Sequence, residues 1–230
     1  MGNTSSKIIA MVGLIAGVVG LSLGFAAFSN TLTIKSSAEV TPDQSTFDVN
    51  LYSNEDGTST TGVAVTNASN LAVGTATITN PTATAGQAGT ASIEGLKATF
   101  TEPGQSVTYT FYAKNDGQYN AFLKNVTYNK VTGENANKVC TPKTGTTESL
   151  VTAACEHIHL TVKVGDDATV VPTAGFGEVT LSNHSLLKGN HEKIEVTISY
   201  DAETESTGII RADGDFDVAF GDVDLLYASV

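Results

Sequence analysis

His157 and His159 lie two residues apart, a spacing at which two metal-binding side chains can act together. In an extended chain residues i and i+2 share a face, so both imidazoles point the same way. A zinc site needs three or four ligands, and nothing near the pair identifies a third. Ile158 and Leu160 alternate with them, so the plainer reading is two solvated histidines on the outer face of a half-buried strand. Asp213, Asp215 and Asp217 alternate within RADGDFDVAF, with Asp222 and Asp224 close behind. Three carboxylates on one strand face would suit calcium. An EF-hand loop, however, has glycine at its sixth position, and Val218 stands there. A solvated acidic face is the alternative. His191-Glu192-Lys193-Ile194-Glu195 begins like a zinc-protease helix, but Glu195 occupies the place of the second histidine. There is no Gly-x-Ser-x-Gly elbow, phosphate loop or dinucleotide fingerprint. The reading therefore assigns no catalytic residue, no cofactor and no small-molecule substrate. His157, His159, Asp213, Asp215 and Asp217 remain weak metal candidates.

Cys140 and Cys155 are the only cysteines. With no Cys-x-x-Cys spacing, and with an export segment upstream, they read as a structural disulfide. Asn67-Ala68-Ser69, Asn125-Val126-Thr127 and Asn183-His184-Ser185 match the N-glycosylation pattern, which arises easily in a Thr- and Asn-rich chain.

The elements that would position these residues begin with the N-terminus. Ile8–Phe28, IIAMVGLIAGVVGLSLGFAAF, is 21 residues without a charge or a proline. As a helix it would extend about 31 Å, the hydrocarbon thickness of a bilayer. Gly24-Phe25-Ala26 supplies a small-x-small cleavage signal, with Ala26 and Ala27 flanking the cut. The full span would equally serve as a retained anchor. Gly13, Gly17, Gly20 and Gly24 lie near one helical face, where small residues let membrane helices pack closely. Both readings place the downstream chain outside the cytoplasm, because Lys7 precedes the apolar run. The expected organisation is 1–29 as signal peptide or transmembrane anchor and 30–230 as an extracellular domain, in contact with the membrane at least during export. With 12 Lys and Arg against 24 Asp and Glu, the net charge of −12 excludes nucleic acid as a partner.

The rest of the chain reads as strands. Leu32 and Ile34 alternate in Asn30–Lys35, and Phe47, Val49 and Leu51 in Ser45–Leu51. Weak strands fall near Val63–Val65 and Thr75–Thr79, and a further single strand over Ser92–Phe100. Glu102-Pro103-Gly104-Gln105 reads as a type II turn. Val107, Tyr109, Phe111 and Ala113 then share one face. Asn115-Asp116-Gly117 reads as a type I′ hairpin turn. On the return, Ala121 and Leu123 are out of phase with Val126 and Tyr128, which predicts a bulge near Lys124–Asn125. Ile158 to Val164, Ile194 to Ile198 and Phe216 to Phe220 alternate cleanly, and Asp224–Ala228 is expected to close the sheet. No amphipathic helix is expected outside the export segment. The predicted class is all-β, an antiparallel β-sandwich of jelly-roll or Ig-like type preceded by one apolar helix.

Three features together resemble the TasA/camelysin family of exported bacterial surface and biofilm-matrix proteins. They are the Gly-rich apolar segment running into Ala26-Ala27-Phe28-Ser29-Asn30, the Pro103-Gly104-Gln105-Ser106-Val107 turn and strand followed by Asn115-Asp116-Gly117, and the all-β remainder. The resemblance implies a non-enzymatic structural protein, exported across the cytoplasmic membrane, that self-associates into fibres by β-strand addition. Leu32 and Ile34 would lie in the donated strand. The Cys140–Cys155 pair and the long apolar segment depart from the family pattern. Two alternatives stand beside it: a membrane-anchored adhesion module, and a camelysin-like metallopeptidase, for which the sequence offers no His-Glu-x-x-His.

Overall fold

The computed structural model describes residues 48–68, 70–81, 89–166, 170, 176–181, 184–203 and 211–228. The apolar segment, the cleavage region, Leu32, Ile34 and Phe47 lie outside the described residues. The chain separates into Met1–Thr41 and Pro42–Val230, and all described residues belong to the second unit.

In chain order the strands are β1 (Val49–Tyr52), β2 (Ala64–Asn67), β3 (Thr77–Thr79), β4 (Gly89–Glu94), β5 (Lys97–Phe100), β6 (Ser106–Asn115) and β7 (Ala121–Tyr128). They continue with β8 (Lys138–Pro142), β9 (Ile158–Val164), β10 (Gly177–Thr180), β11 (Ser185–Leu186), β12 (His191–Tyr200), β13 (Phe216–Phe220) and β14 (Val223–Ala228). One helix, α1 (Glu148–Cys155), stands between β8 and β9. Every described pairing of named strands is antiparallel. Sheet one runs β1-β6-β12-β9, with β2 also on β6. Sheet two runs β10-β7-β14-β4-β3, with β11 also on β7. Sheet three is β5-β13-β8.

Alternation builds the core. In β6, Val107, Tyr109, Phe111, Ala113 and Asn115 are buried while their neighbours are half-buried. β9, β12 and β13 bury Ile158 to Val164, Ile194 to Tyr200 and Phe216 to Phe220 in the same two-residue period. These faces meet in one cluster. Phe100 and Phe216 of sheet three pack on Tyr200 of sheet one, with centroids 6.0 and 5.8 Å away and planes nearly perpendicular. The Tyr109 hydroxyl of sheet one donates to the Lys97 carbonyl of sheet three. Asn115 of sheet one donates to the Leu186 carbonyl of sheet two at 3.0 Å. The arrangement is sandwich-like, with sheet one against sheets two and three.

Sheets two and three are joined by a bend in one ribbon. The pair β4/β14 and the pair β5/β13 keep a common register, from Ile93↔Val223 through Ala98↔Val218 to Phe100↔Phe216. Between them the Phe220 N–H donates to the Leu96 carbonyl at 2.9 Å. Two glycines allow the bend. Gly95 has φ +73°, and a Cβ there would lie 2.6 Å from the Thr75 carbonyl oxygen. A Cβ on Gly221 would lie 2.3 Å from the Asn129 carbonyl oxygen and 2.6 Å from the Lys130 carbonyl carbon. The single strand expected over Ser92–Phe100 is therefore two strands in two sheets.

Three other expectations are corrected. Asn115-Asp116-Gly117 is not a hairpin turn. β6 pairs with β1, β2 and β12, β7 pairs with β10, β11 and β14, and none of the three residues has positive φ. The Asn115 amide is buried, donates to Tyr119 and Leu186 and accepts from Gly117 N–H, so the chain passes from sheet one to sheet two. β14 does not sit at a sheet boundary but between β7 and β4. α1 is a helix the pattern did not announce: it buries only Val151 and Ala154, too few for a visible helical period. The bulge near Lys124–Asn125 is present. Leu226 pairs with Asn125 and Tyr227 with Leu123, which leaves Lys124 as the extra residue. Gly104 has the positive φ, +86°, that a type II turn requires.

Gly221→Ala is expected to lower unfolding stability by about 1–3 kcal/mol, the usual cost of forcing atoms into a packed interior. Because the contacting atoms are backbone, the loss should appear in urea titration as a lower midpoint at unchanged slope.

Candidate functional site

The sequence candidates for metal binding are dispersed. His159 Nε2 lies 3.0 Å and His157 Nδ1 3.8 Å from the same oxygen, Asp201 Oδ2. Asp201 follows β12, 42 residues from His159, so no local spacing announces it. Lys138 joins this group from β8, donating its ammonium to the Ile158 carbonyl. Burial pushes its pKa down, while Glu156 and Asp201 oppose the shift. The acidic run does not share a strand face, because β13 begins at Phe216 and only Asp217 lies in it. Asp217 accepts from Thr99 Oγ1 at 2.6 Å and pairs with Lys143 at 3.3 Å. Asp213 accepts both the Thr147 N–H, at 2.8 Å, and the Thr147 hydroxyl, at 2.6 Å. Among the described residues no three His, Cys, Asp or Glu side chains are grouped to hold a metal ion. Nor, among them, is any helix long and apolar enough to cross a membrane.

Asp213 serves α1. Thr147 is the N-cap residue, in extended conformation, and its own side chain does not cap the helix. The Asp213 carboxylate fixes it from outside and places negative charge at the helix start. At the other end Cys155 is bonded to Cys140 of β8, with Cα atoms 6.1 Å apart. The helix is thus held at both ends against the outer strand of sheet three. In the chain-entropy account a bridge closing a loop of this length contributes roughly 3 kcal/mol.

HEKIE is strand rather than helix, and Glu192 has a different role from that of a zinc-protease glutamate. Its carboxylate accepts the Tyr227 hydroxyl at 2.7 Å and lies 2.6 Å from His184 Nε2. This joins β12 of sheet one to β14 of sheet two. Burial, and then the Glu192 charge, push the Tyr227 phenol well above its ordinary value, so it stays protonated and donates.

The feature with most bearing on association is the outer edge of β6. Two short strands share it. β1 covers Tyr112–Asn115 and β2 covers Val107–Thr110. β1 is firmly seated: Val49 and Leu51 are buried, and its own free edge is closed by a side chain. Leu51 N–H donates to Asn80 Oδ1 at 2.7 Å, and Asn80 Nδ2 donates to the Leu51 carbonyl at 2.9 Å. One carboxamide thus does the work of a neighbouring strand. β2 has no buried residue. Of its two inward positions, Val65 packs partly on the core, and Asn67 spends its amide on the N–H and carbonyl of Leu71. On the outward face a row of threonines crosses the sheet. Thr66 lies opposite Thr108, Thr108 opposite Thr197, and Thr197 opposite Thr161. The Thr108 and Thr197 hydroxyls are 2.8 Å apart, the kind of cross-strand pair that supports a sheet.

Comparison with family models, with curated proteins and with solved structures finds no match to this chain.

Two outcomes follow. Tyr227→Phe should cost about 1.5–3 kcal/mol of stability, the range for a buried hydrogen bond to a charged acceptor, read from urea unfolding. The second concerns acid. The Thr147 hydroxyl, then its N–H, hold the Asp213 carboxyl below its ordinary 3.8. The stabilisation is therefore present above that value and is lost as pH falls through the lower, folded value. Asp213→Asn should flatten the decline in thermal midpoint below about pH 4; an unchanged acid limb would contradict the assignment.

Proposed function

We propose that the chain is a non-enzymatic bacterial cell-surface or extracellular-matrix structural protein that self-associates by β-strand addition. The observation that carries this reading is the outer edge of β6, where β2 holds four residues of register with no fully buried side chain, only the half-buried Val65 and Asn67 and, just before it, the half-buried Val63. Such an edge is a template for an extended segment from another chain. Repetition of a head-to-tail contact that does not close gives a fibre. The 21-residue apolar segment Ile8–Phe28 and the disulfide support an exported, oxidising setting. The all-β, sandwich-like architecture is of the kind that the TasA/camelysin resemblance implies. A jelly-roll type of sandwich is the finer reading that goes with it.

A membrane-anchored adhesion module is the second reading. It is favoured by the length of Ile8–Phe28 and its glycine spacing.

The intact mass of the protein recovered from the surface of a bacterium that expresses it separates the two. A mass beginning at Ala27 is the expected result, with assembly then visible by sedimentation and electron microscopy. A mass beginning at Met1, with the protein retained in membranes after a carbonate wash, would replace the fibre reading with the anchored one.

A further inference from the structure

We propose that the hollow at the Tyr112 end of sheet one binds a glycan through an amino sugar that carries a free amine. The proposal goes beyond the strand-addition reading and does not depend on it. The hollow has a volume of about 530 Å³, within the size range of small-molecule sites. Strand register assembles it on the outer face of the sheet. Tyr112 of β6 lies opposite Lys193 of β12, and Glu195 of β12 lies opposite Lys163 of β9. Glu55 arrives from the segment after β1, with Oε1 3.1 Å from His191 Nε2. Asp166 lies just past the end of β9.

Three properties of this hollow point to one ligand chemistry. The first is the tyrosine, half-buried in the middle strand of a charged surface. An aromatic face accepts the apolar C–H face of a pyranose, and it attracts an ammonium group. A second hollow, on the outer face of sheet three, is lined without any aromatic residue. The second property is charge. Four carboxylates, those of Glu55, Asp166, Glu192 and Glu195, line the hollow against two ammonium groups, Lys163 and Lys193. The Glu192 carboxylate is taken up by Tyr227 and His184, so Glu55, Asp166 and Glu195 are the ones that can meet a ligand. Among the described residues Asp166 and Lys163 have no hydrogen-bond or ion-pair partner. The balance favours a cationic ligand, which the field of a chain with net charge −12 also attracts. The third property is that donors and acceptors are mixed. Glu195 is paired with Lys193 and faces Lys163 across the strands. Adjacent hydroxyls of a sugar can donate to such a carboxylate and accept from such an ammonium group. A bare polyamine has no use for the two lysines and is repelled by them. The outward rows beyond Tyr112 continue the site. Thr110 with Glu195, and then Thr108 with Thr197, follow in steps of about 6.7 Å, two residues of strand each. A chain of sugars leaving the hollow would therefore meet further hydroxyl groups.

The test is calorimetric titration of the exported full-length protein, near neutral pH, with four probes. These are β-1,4-linked tetraglucosamine, its N-acetylated counterpart, the neutral cellotetraose and tetralysine. The expected result is saturable binding of tetraglucosamine, with the other three at least roughly tenfold weaker, the discrimination worth one charge-assisted contact. Tyr112→Ala should weaken tetraglucosamine about five- to thirtyfold, the span from an exposed to a desolvated cation–π contact, and Tyr112→Phe should restore it. Glu55→Gln with Asp166→Asn, both at exposed positions, should weaken it without moving the thermal midpoint. Asp217→Asn, in the second hollow, should leave it unchanged. Equal binding of tetralysine would reduce the effect to bare charge and overturn the proposal. So would equal binding of the acetylated or neutral tetramer, no saturable binding at all, or affinity unchanged in the Tyr112→Ala and the Glu55→Gln with Asp166→Asn variants.

Discussion

The bend in the ribbon formed by β4, β5, β13 and β14 is the constraint on which the remaining architecture depends. A two-stranded ribbon that kept straight would build one wide, twisted sheet and leave the aromatic residues of β5 and β13 without a partner layer. Breaking it at Gly95 and Gly221 keeps the register and turns sheet three relative to sheet two. Phe100 and Phe216 then reach Tyr200. Neither break admits a side chain, because carbonyl groups of neighbouring segments occupy the space a Cβ would need. Backbone in that position cannot rotate away as a side chain can, so the bend is as rigid as the strands it joins.

Around this frame the molecule treats its edges unequally. β8 is covered by a helix that is pinned by a disulfide at one end and a carboxylate at the other. β1 is finished with a single amide. β2, on the same edge of β6, is held by backbone pairing and the half-buried Val65, with Val63 just before it packed in the same way. Backbone hydrogen bonds alone contribute little net stability when the alternative is water, so burial decides which strands are permanent. By that criterion β6, β12 and β9, with fully buried faces, are held more firmly than β2.

Much of the fold was legible because burial on one face writes a two-residue period into the sequence. Strands β6, β9, β12 and β13 could be read in this way, and so could the bulge at Lys124, where the period skips a residue. The same kind of skip occurs between Ile93 and Leu96 across Gly95, and it was the available sign that Ser92–Phe100 is two strands. The misread turn at Asn115 shows the limit. Its residues favour a hairpin locally, but the Asn115 amide is claimed by Leu186, 71 positions away. The Glu192 contacts with Tyr227 and His184, and the meeting of Asp201 with two histidines, are likewise products of tertiary pairing. No local spacing contains them. α1 escaped notice because a helix with two buried residues leaves almost no period.

The amide that finishes β1 also bears on chemical ageing. Exposed asparagines are lost over time when the backbone nitrogen of the next residue attacks the side-chain carbonyl, forming a ring that opens to aspartate. At position 80 that conversion would replace the donor facing the Leu51 carbonyl with a second acceptor, and a negative charge would sit against a strand edge. The next residue is Pro81, whose nitrogen carries no hydrogen and cannot close that ring in the ordinary way. Proline here protects the side chain before it from that conversion.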